Sequence, residues 1–269
     1  MKKNPLSKTQ IDRLGDRLKA GSHTEEDLRL LDDYRRSFDE AYEEVVRKIR
    51  EYGELPTGRK AKTKQSITEK LKRESIRLSQ MQDIAGCRIV VTDVVEQDRC
   101  VALLTDIFPD ASVIDRRDKP SHGYRAVHVI VKVSEKFIEI QVRTFFQHLW
   151  AQLSEKASDV IDPAVKYGGG SDELQKFLFE VAKAITMFEQ TEKKHLKIKA
   201  AHEMVERTAA AMPKYMANFL KSNPHVRELQ DVFETQSRWV EEISSKKKLL
   251  AFLLEKLKCQ LDEMKRKER

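Results

Sequence analysis

The residues best suited to chemistry lie on the segment KFIEIQVRT, Lys136–Thr144, whose alternating pattern predicts a β-strand. Successive side chains of a strand point to opposite faces. One face of this strand is aliphatic, and the other carries a carboxylate, an amide and a guanidinium: Glu139, Gln141 and Arg143. A solvated outer face of an antiparallel sheet would show the same pattern. The case for a functional site therefore depends on the neighbouring segments.

Further polar residues occur in predicted strands on either side of this one. The segment MQDIAGCRIVVTD reads as a strand whose only early charges are Asp83 and Arg88, at positions where a central strand is otherwise apolar. A β-branched strand is predicted over 124–133, with Tyr124 and His128 on one face. Polar residues thus follow one face of several predicted strands, which favours a cleft over a set of solvated surfaces.

A basic segment precedes these strands. RKAKTKQSITEKLK, running from Arg59 to Lys72, crowds six cations into fourteen residues. Ser66 is expected to cap the helix that follows, because Glu69 stands three residues on. One interpretation is a solvated basic helix start. The other is a phosphate-binding site, in which a hydroxyl, free helix N–H groups and several cations converge.

Composition narrows the class of protein. The 269 residues carry a net charge of +7, and the pI near 9.1 favours anionic partners such as nucleotides or RNA. No apolar run reaches membrane-spanning length and the N-terminus has no apolar signal core, so a cytoplasmic protein without membrane contact is expected. The three cysteines are too scattered for a zinc knuckle or a disulfide framework.

The order of predicted elements divides the chain into three parts. Helical periodicity covers residues 1–37, alternating strands and helices cover 38–165, and uninterrupted helix formers cover 171–269. The last helix, from about Val226 to the end, has an apolar stripe with steps of three and four residues. Three interpretations stay open for this extension: an antiparallel helical hairpin, a coiled-coil arm for homo-oligomer formation, and a nucleic-acid-binding arm.

Five motifs together resemble a known family. The segments GR…SITEKLKR, DIAGCRIVV, HGYRAVH, EIQVRT and the WA of LWAQL come in the order and near the spacing of the RelA/SpoT synthetase domain, the family of alarmone synthetases. The resemblance covers about Phe38 to Ser158. It implies an α+β fold, a nucleotidyltransferase-like mixed β-sheet flanked by helices, here followed by an all-α C-terminal extension. It also implies transfer of pyrophosphate from ATP to the ribose 3′-hydroxyl of GDP or GTP, with Mg²⁺ as cofactor.

The resemblance assigns roles to individual residues. Asp83 and Glu139 are similar to the two carboxylates of the catalytic and metal site, and hard Mg²⁺ favours carboxylate and phosphate oxygens. A carboxylate is also a suitable base for a ribose hydroxyl. The expected ATP-binding residues are Arg59, Ser66, Lys70 and Arg88, the two arginines stacking on the adenine. The expected acceptor-binding residues are Tyr124, which would stack on the base, His128, Gln141 and Arg143.

The sequence departs from the family pattern in two places. Ser154 and Glu155 stand where the family has a Glu-His pair on the acceptor side, and the spacing between Arg59 and Ser66 leaves Lys60 and Lys62 as alternatives for one phosphate lysine. No His-Asp dipeptide occurs, so a synthetase without the family's hydrolase activity is expected. The family also contains toxin-type members that pyrophosphorylate the 3′ end of tRNA, and this acceptor stays open beside GDP and GTP. A catalytically inactive nucleotide- or RNA-binding module is the third alternative.

Overall fold

The computed structural model describes residues 6–267, apart from the side chains of Arg59 and Lys267. The predicted α+β fold is confirmed: a mixed five-stranded sheet is flanked by helices, and a long all-α region follows it. The predicted domain boundaries at 37/38 and at 165/171 stay predictions. The chain divides into two compact units. The first comprises 1–91, 97–119 and 126–143, and the second comprises 92–96, 120–125 and 144–269.

The sheet of the first unit has the strand order β1-β2-β5-β4-β3. Its strands are β1 (Thr57–Arg59), β2 (Ala85–Val91), β3 (Ser112–Asp115), β4 (Val127–Val133) and β5 (Lys136–Thr144). The pairs β1–β2, β3–β4 and β4–β5 are antiparallel. The most polar strand of the sequence, β5, is therefore central, and its polar face belongs to the middle of the sheet.

Strand β5 has the bounds that its alternation predicts, because one side of it forms the core. Ile138, Ile140 and Val142 are completely buried among aliphatic side chains. The turn that joins β4 to β5 has Ser134 and Glu135 at positive φ, as a two-residue turn of the type I′ kind requires. This hairpin places Gln141 directly opposite His128.

Helices surround the sheet of the first unit. They are α1 (Lys8–Ala20), α2 (Glu25–Arg36), α3 (Asp39–Glu51), α4 (Lys64–Arg73) and α5 (Val94–Ile107). The spacing of Thr24 and Asp27 predicts a capping box, and this box forms at the start of α2. The predicted cap of α4 is wrong: Thr63 is the N-cap, and its hydroxyl accepts the Ser66 backbone N–H at 3.1 Å. Ser66 therefore lies inside the first turn of the helix.

The second unit is helical. Its helices are α6 (Phe145–Val160), α7 (Asp172–Ala210), α8 (Lys214–Ser222) and α9 (Pro224–Lys267). Helix α7 continues without a break through Lys193. Helix α9 runs antiparallel to α7: Lys247 pairs with Glu192, whereas the earlier Phe233 stacks on the later His202. Within residues 6–267, no helix is both long and apolar enough to cross a bilayer.

Candidate active site

Asp83 lies in the turn directly before β2. The predicted strand included this residue, but the observed strand begins only at Ala85. Its carboxylate accepts a hydrogen bond from Lys70 Nζ at 2.9 Å and a short one from Lys62. The Lys62 backbone N–H also donates to the Ile84 carbonyl at 2.6 Å, which fixes the basic segment against this turn. Lys60, the alternative lysine, pairs instead with the exposed Glu43. The structure thus brings Lys62 and Lys70, but not Lys60, to Asp83.

Glu139 is part of a row of polar side chains on β4 and β5. Its Oε1 atom lies 2.8 Å from His128 Nδ1, and its Oε2 atom accepts a hydrogen bond from Gln141 Nε2 at 2.6 Å. The Gln141 side-chain oxygen in turn accepts from Arg143 at 2.6 Å. Two of the four acceptor residues expected from the sequence therefore contact the second carboxylate, and Arg143 is joined to it through Gln141. Gly86 permits this packing, because a Cβ atom there would lie 2.6 Å from the Glu139 carbonyl oxygen.

Both carboxylates are held ionised although they are largely buried. Burial acts to raise the pKa of Asp83, but the charges and hydrogen bonds of Lys62 and Lys70 outweigh it, so the pKa lies below its usual value. Burial also acts to raise the pKa of Glu139, and the hydrogen bond and charge of His128 reverse the direction. The Asp83 charge opposes ionisation of Glu139, so the two groups interact electrostatically. Buried carboxylates with shifted pKa values that interact with each other are typical of functional sites.

The predicted ATP-binding residues are distributed over three elements of the first unit. Arg59 on β1 is opposite Gly86, and Arg88 on β2 is opposite Thr57, so the two arginines occupy diagonal positions of one antiparallel pair. The Arg59 side chain lies outside the described part of the structure. Ser66 and Lys70 both belong to α4, and the Ser66 hydroxyl accepts a 2.8 Å hydrogen bond from Thr63. These residues flank the turn that carries Asp83.

Tyr124 differs from its predicted position. The strand expected over 124–133 begins only at Val127, and Tyr124 lies in a turn where its backbone N–H donates to the Ser121 carbonyl at 2.9 Å. The prediction that Tyr124 and His128 share one face of a strand is therefore wrong. Tyr124 belongs to the second unit and packs against that unit's apolar core. In the same unit, Ser154 is buried and Glu155 is exposed on α6.

The two carboxylates could hold a magnesium ion together with a nucleotide. Mg²⁺ commonly binds one or two carboxylates plus substrate phosphates, rather than a cage made only of protein ligands. Among the described residues, no group of three or more His, Cys, Asp or Glu side chains gathers into a metal site. The lysines that neutralise Asp83 are cations that phosphates also attract. Asp83 and Glu139 thus fit a metal that is bound along with its nucleotide.

Comparison with known proteins shows which family this site resembles. Residues 59–158 match the model described as "Region found in RelA / SpoT proteins", so this part of the chain is similar to that region. The match includes Asp83, Glu139 and every other site residue predicted above.

Two kinds of similar protein were found. An uncharacterized protein of Mycobacterium tuberculosis and one of Mycobacterium bovis are each 35% identical over 125 residues, which is 45% of this chain and 46% of the relative. The chain therefore aligns with about half the length of these curated relatives. Among solved structures, small alarmone synthetase 1 from Bacillus subtilis bound to its product pppGpp is 26% identical with a TM-score of 0.47. That alignment covers 64% of this chain and 96% of the synthetase.

Proposed function

We propose that the protein is an ATP-dependent pyrophosphokinase that transfers pyrophosphate from ATP to the ribose 3′-hydroxyl of GDP or GTP. The observation that carries this proposal is the pair of ionised carboxylates, Asp83 and Glu139, within a RelA/SpoT-type region. The pair combines hard oxygen ligands with an acceptor for a hydroxyl proton, and phosphate-binding lysines lie beside it.

The reaction needs one bond to form and one to break. The acceptor 3′-oxygen attacks the β-phosphorus of ATP, the bond from that phosphorus to the α–β bridging oxygen breaks, and AMP leaves. The hydroxyl proton passes to the Glu139 carboxylate, which His128 and Gln141 hold in one orientation. Because hydrogen bonds keep the pKa of Glu139 low despite burial, the carboxylate is ionised before the acceptor binds.

Phosphate binding is assigned to the basic side chains near Asp83. Lys62 and Lys70 are already within hydrogen-bond distance of that carboxylate, so incoming phosphates would take over cations that are held in place. Arg59 and Arg88 are proposed to stack on the donor adenine. When bound, Mg²⁺ supplies positive charge to the phosphate oxygens, and Asp83 with Glu139 would hold it.

The proposal is tested by following two labels from ATP. The protein is incubated with Mg²⁺, an acceptor, and ATP labelled on either its γ- or its α-phosphate. We expect the γ-label in a modified GDP or GTP and the α-label in AMP. Recovery of the α-label in ADP would instead indicate transfer of a single phosphate and contradict the proposal.

Transfer to RNA is tested in the same experiment. Ser154 and Glu155 replace the family's acceptor-side pair, so deacylated tRNA is supplied as an alternative acceptor. Label on the tRNA 3′ end and none on GDP or GTP would assign the protein to the tRNA-modifying type. No label on any acceptor, with nucleotide binding retained, would indicate an inactive binding module.

A further inference from the structure

The loop His122–Arg125, which belongs to the HGYR motif, packs against helices α6 and α7. His122 has φ 50° and Gly123 has φ 87°, so this turn is sharply bent. A Cβ atom on Gly123 would lie 2.8 Å from the Trp150 ring of α6 and 3.3 Å from Ala182 of α7. Gly168, which precedes α7, makes room for the His122 ring in the same way. The backbone at Gly123 therefore packs closely against α6 and α7.

A buried carboxylate of α7 also contacts the loop. Glu189 is 4% exposed, and one of its oxygens forms a short ion pair with Arg125, which follows Tyr124 in the chain. Its other oxygen accepts hydrogen bonds from the Thr144 hydroxyl at 2.5 Å and from Gln147 Nε2 at 3.0 Å. Thr144 and Gln147 form the capping box of α6. Glu189 thus joins the loop to the first turn of α6 through one side chain.

The proposed reaction uses neither Glu189 nor Arg125, although removing such a pair of charges from water has a large free-energy cost. Such pairs are retained where they define one conformation, and here the defined segment contains the tyrosine proposed to stack on the acceptor base. We infer that Glu189 is a positioning residue for acceptor binding, acting through Arg125 to hold Tyr124 in its turn. This inference rests on the proposed function in assigning the acceptor to Tyr124.

The inference gives α7 a role in the enzyme that its helical sequence does not indicate. The first half of α7 becomes a structural part of the acceptor site instead of a separable oligomerisation arm.

The test compares Glu189→Gln with Glu192→Gln. Both substitutions remove a paired charge from α7, but Glu192 pairs with Lys247 of α9 and not with the loop. Amide hydrogen exchange of residues 121–126 is measured without substrate, and KM values are measured for ATP and for the acceptor. For Glu189→Gln we expect exchange of the loop and the acceptor KM to rise by about tenfold or more, with the ATP KM changed by less than about twofold. Glu192→Gln should leave the loop exchange and both KM values unchanged.

A second variant covers the case in which Glu189→Gln does not fold. In the double variant Arg125→Gln/Glu189→Gln no buried charge is left unpaired, and the two amides are too short to span the original contact. It should show the same faster loop exchange and the same selective rise in the acceptor KM. Unchanged loop exchange in a folded variant would show that Glu189 does not hold the loop. An equal rise in both KM values would show that Glu189 does not position the acceptor site in particular. If the wild-type protein modifies no acceptor, the proposed function fails, and loop exchange still decides whether Glu189 holds the loop.

Discussion

Asp83 and Glu139 are kept ionised by two different kinds of neighbour. Two lysines provide charge at Asp83, whereas a histidine and an amide provide hydrogen bonds at Glu139. The first environment is suited to exchange partners with an incoming phosphate or metal. The second is suited to hold one carboxylate oxygen at a fixed position for a proton. We therefore propose that Asp83 mainly binds phosphate and metal and that Glu139 is the base.

Glu139→Gln is expected to remove turnover while the protein stays folded. The amide keeps the shape of the side chain and loses the charge needed to accept a proton, a change worth roughly 10²–10⁴-fold in rate. Labelled transfer measures turnover, and circular dichroism with thermal unfolding checks the fold. Asp83→Asn should behave similarly and should also require more Mg²⁺. Near wild-type transfer by purified Glu139→Gln would show that the assignment of the base is wrong.

Lys62→Met and Lys60→Met form a matched pair of neighbouring substitutions. Lys62 contacts Asp83, so its loss should lower turnover by roughly 10²-fold. Its charge also helps to lower the pKa of Asp83, so removing it raises that pKa. The activity lost as pH falls should then be lost at a higher pH than in the wild type. A pH–rate profile measures both effects, and Lys60→Met, whose lysine pairs with exposed Glu43, should match the wild type.

Tyr124→Ala should weaken acceptor binding much more than ATP binding. Stacking of an aromatic ring on a base contributes about 1–3 kcal/mol, which corresponds to roughly tenfold to a hundredfold in affinity. Isothermal titration with each nucleotide measures the two affinities. Tyr124→Phe keeps the ring and should have a small effect. Equal losses for both nucleotides would indicate that Tyr124 only packs against its apolar core.

Helix α9 is a packed part of the second unit. Leu254 is 1% exposed and belongs to the same apolar core as Leu149 and Leu178. Ion pairs connect α9 to α6, among them Lys265 with Asp159 at 3.2 Å. Deleting this helix would therefore expose an apolar core, which favours aggregation and obscures any effect on the acceptor. Point substitutions are the better way to examine it.

Leu254→Ala should lower the free energy of unfolding of the second unit by about 2–5 kcal/mol, because it leaves a cavity in the core. Leu253→Ala is the control, since Leu253 is its neighbour on the same helix but is 46% exposed. Denaturant unfolding followed by the fluorescence of Trp150, a residue of that core, measures both variants. Equal and small losses would show that α9 is not packed as described.

At the scale of the whole molecule, the net charge of +7 bears on the choice of acceptor. A tRNA must be held by basic surface that neutralises many phosphates, and each of these steepens the dependence of affinity on salt. A free nucleotide is held by the cleft, with few phosphates to neutralise. The basic charge by itself does not distinguish the two, because lysines at the end of a helix also suit the helix dipole.

Transfer to GDP or GTP should depend weakly on salt. Between 50 and 200 mM salt we expect kcat/KM for the nucleotide to change by less than about tenfold, whereas a tRNA acceptor should lose roughly 10³-fold or more. Lys256→Gln/Arg266→Gln removes two exposed charges of α9 and should leave transfer to the nucleotide unchanged. Efficient transfer to tRNA alone, abolished by modest salt or weakened by this variant, would reverse the choice of acceptor.

The features that the sequence determined are those that depend on local chemistry. The alternation of KFIEIQVRT predicted β5 with its observed bounds, and Thr24 with Asp27 predicted a capping box that forms. The resemblance of five motifs to the RelA/SpoT synthetase domain implied the fold and the matched region. For the strand and the cap, neighbouring residues carry enough information, since alternation and capping involve only a few positions along the chain.

Only the tertiary structure decided which distant groups meet. The spacing left Lys60 and Lys62 equivalent, and the packing of the basic segment on Ile84 selected Lys62 as the partner of Asp83. An apolar stripe on α9 fits an intramolecular partner as well as a second chain, and the contacts with α6 and α7 are not visible in its periodicity. Glu189 had no signal at all, because a glutamate on a charged helix resembles any solvated one until the fold buries it against Arg125.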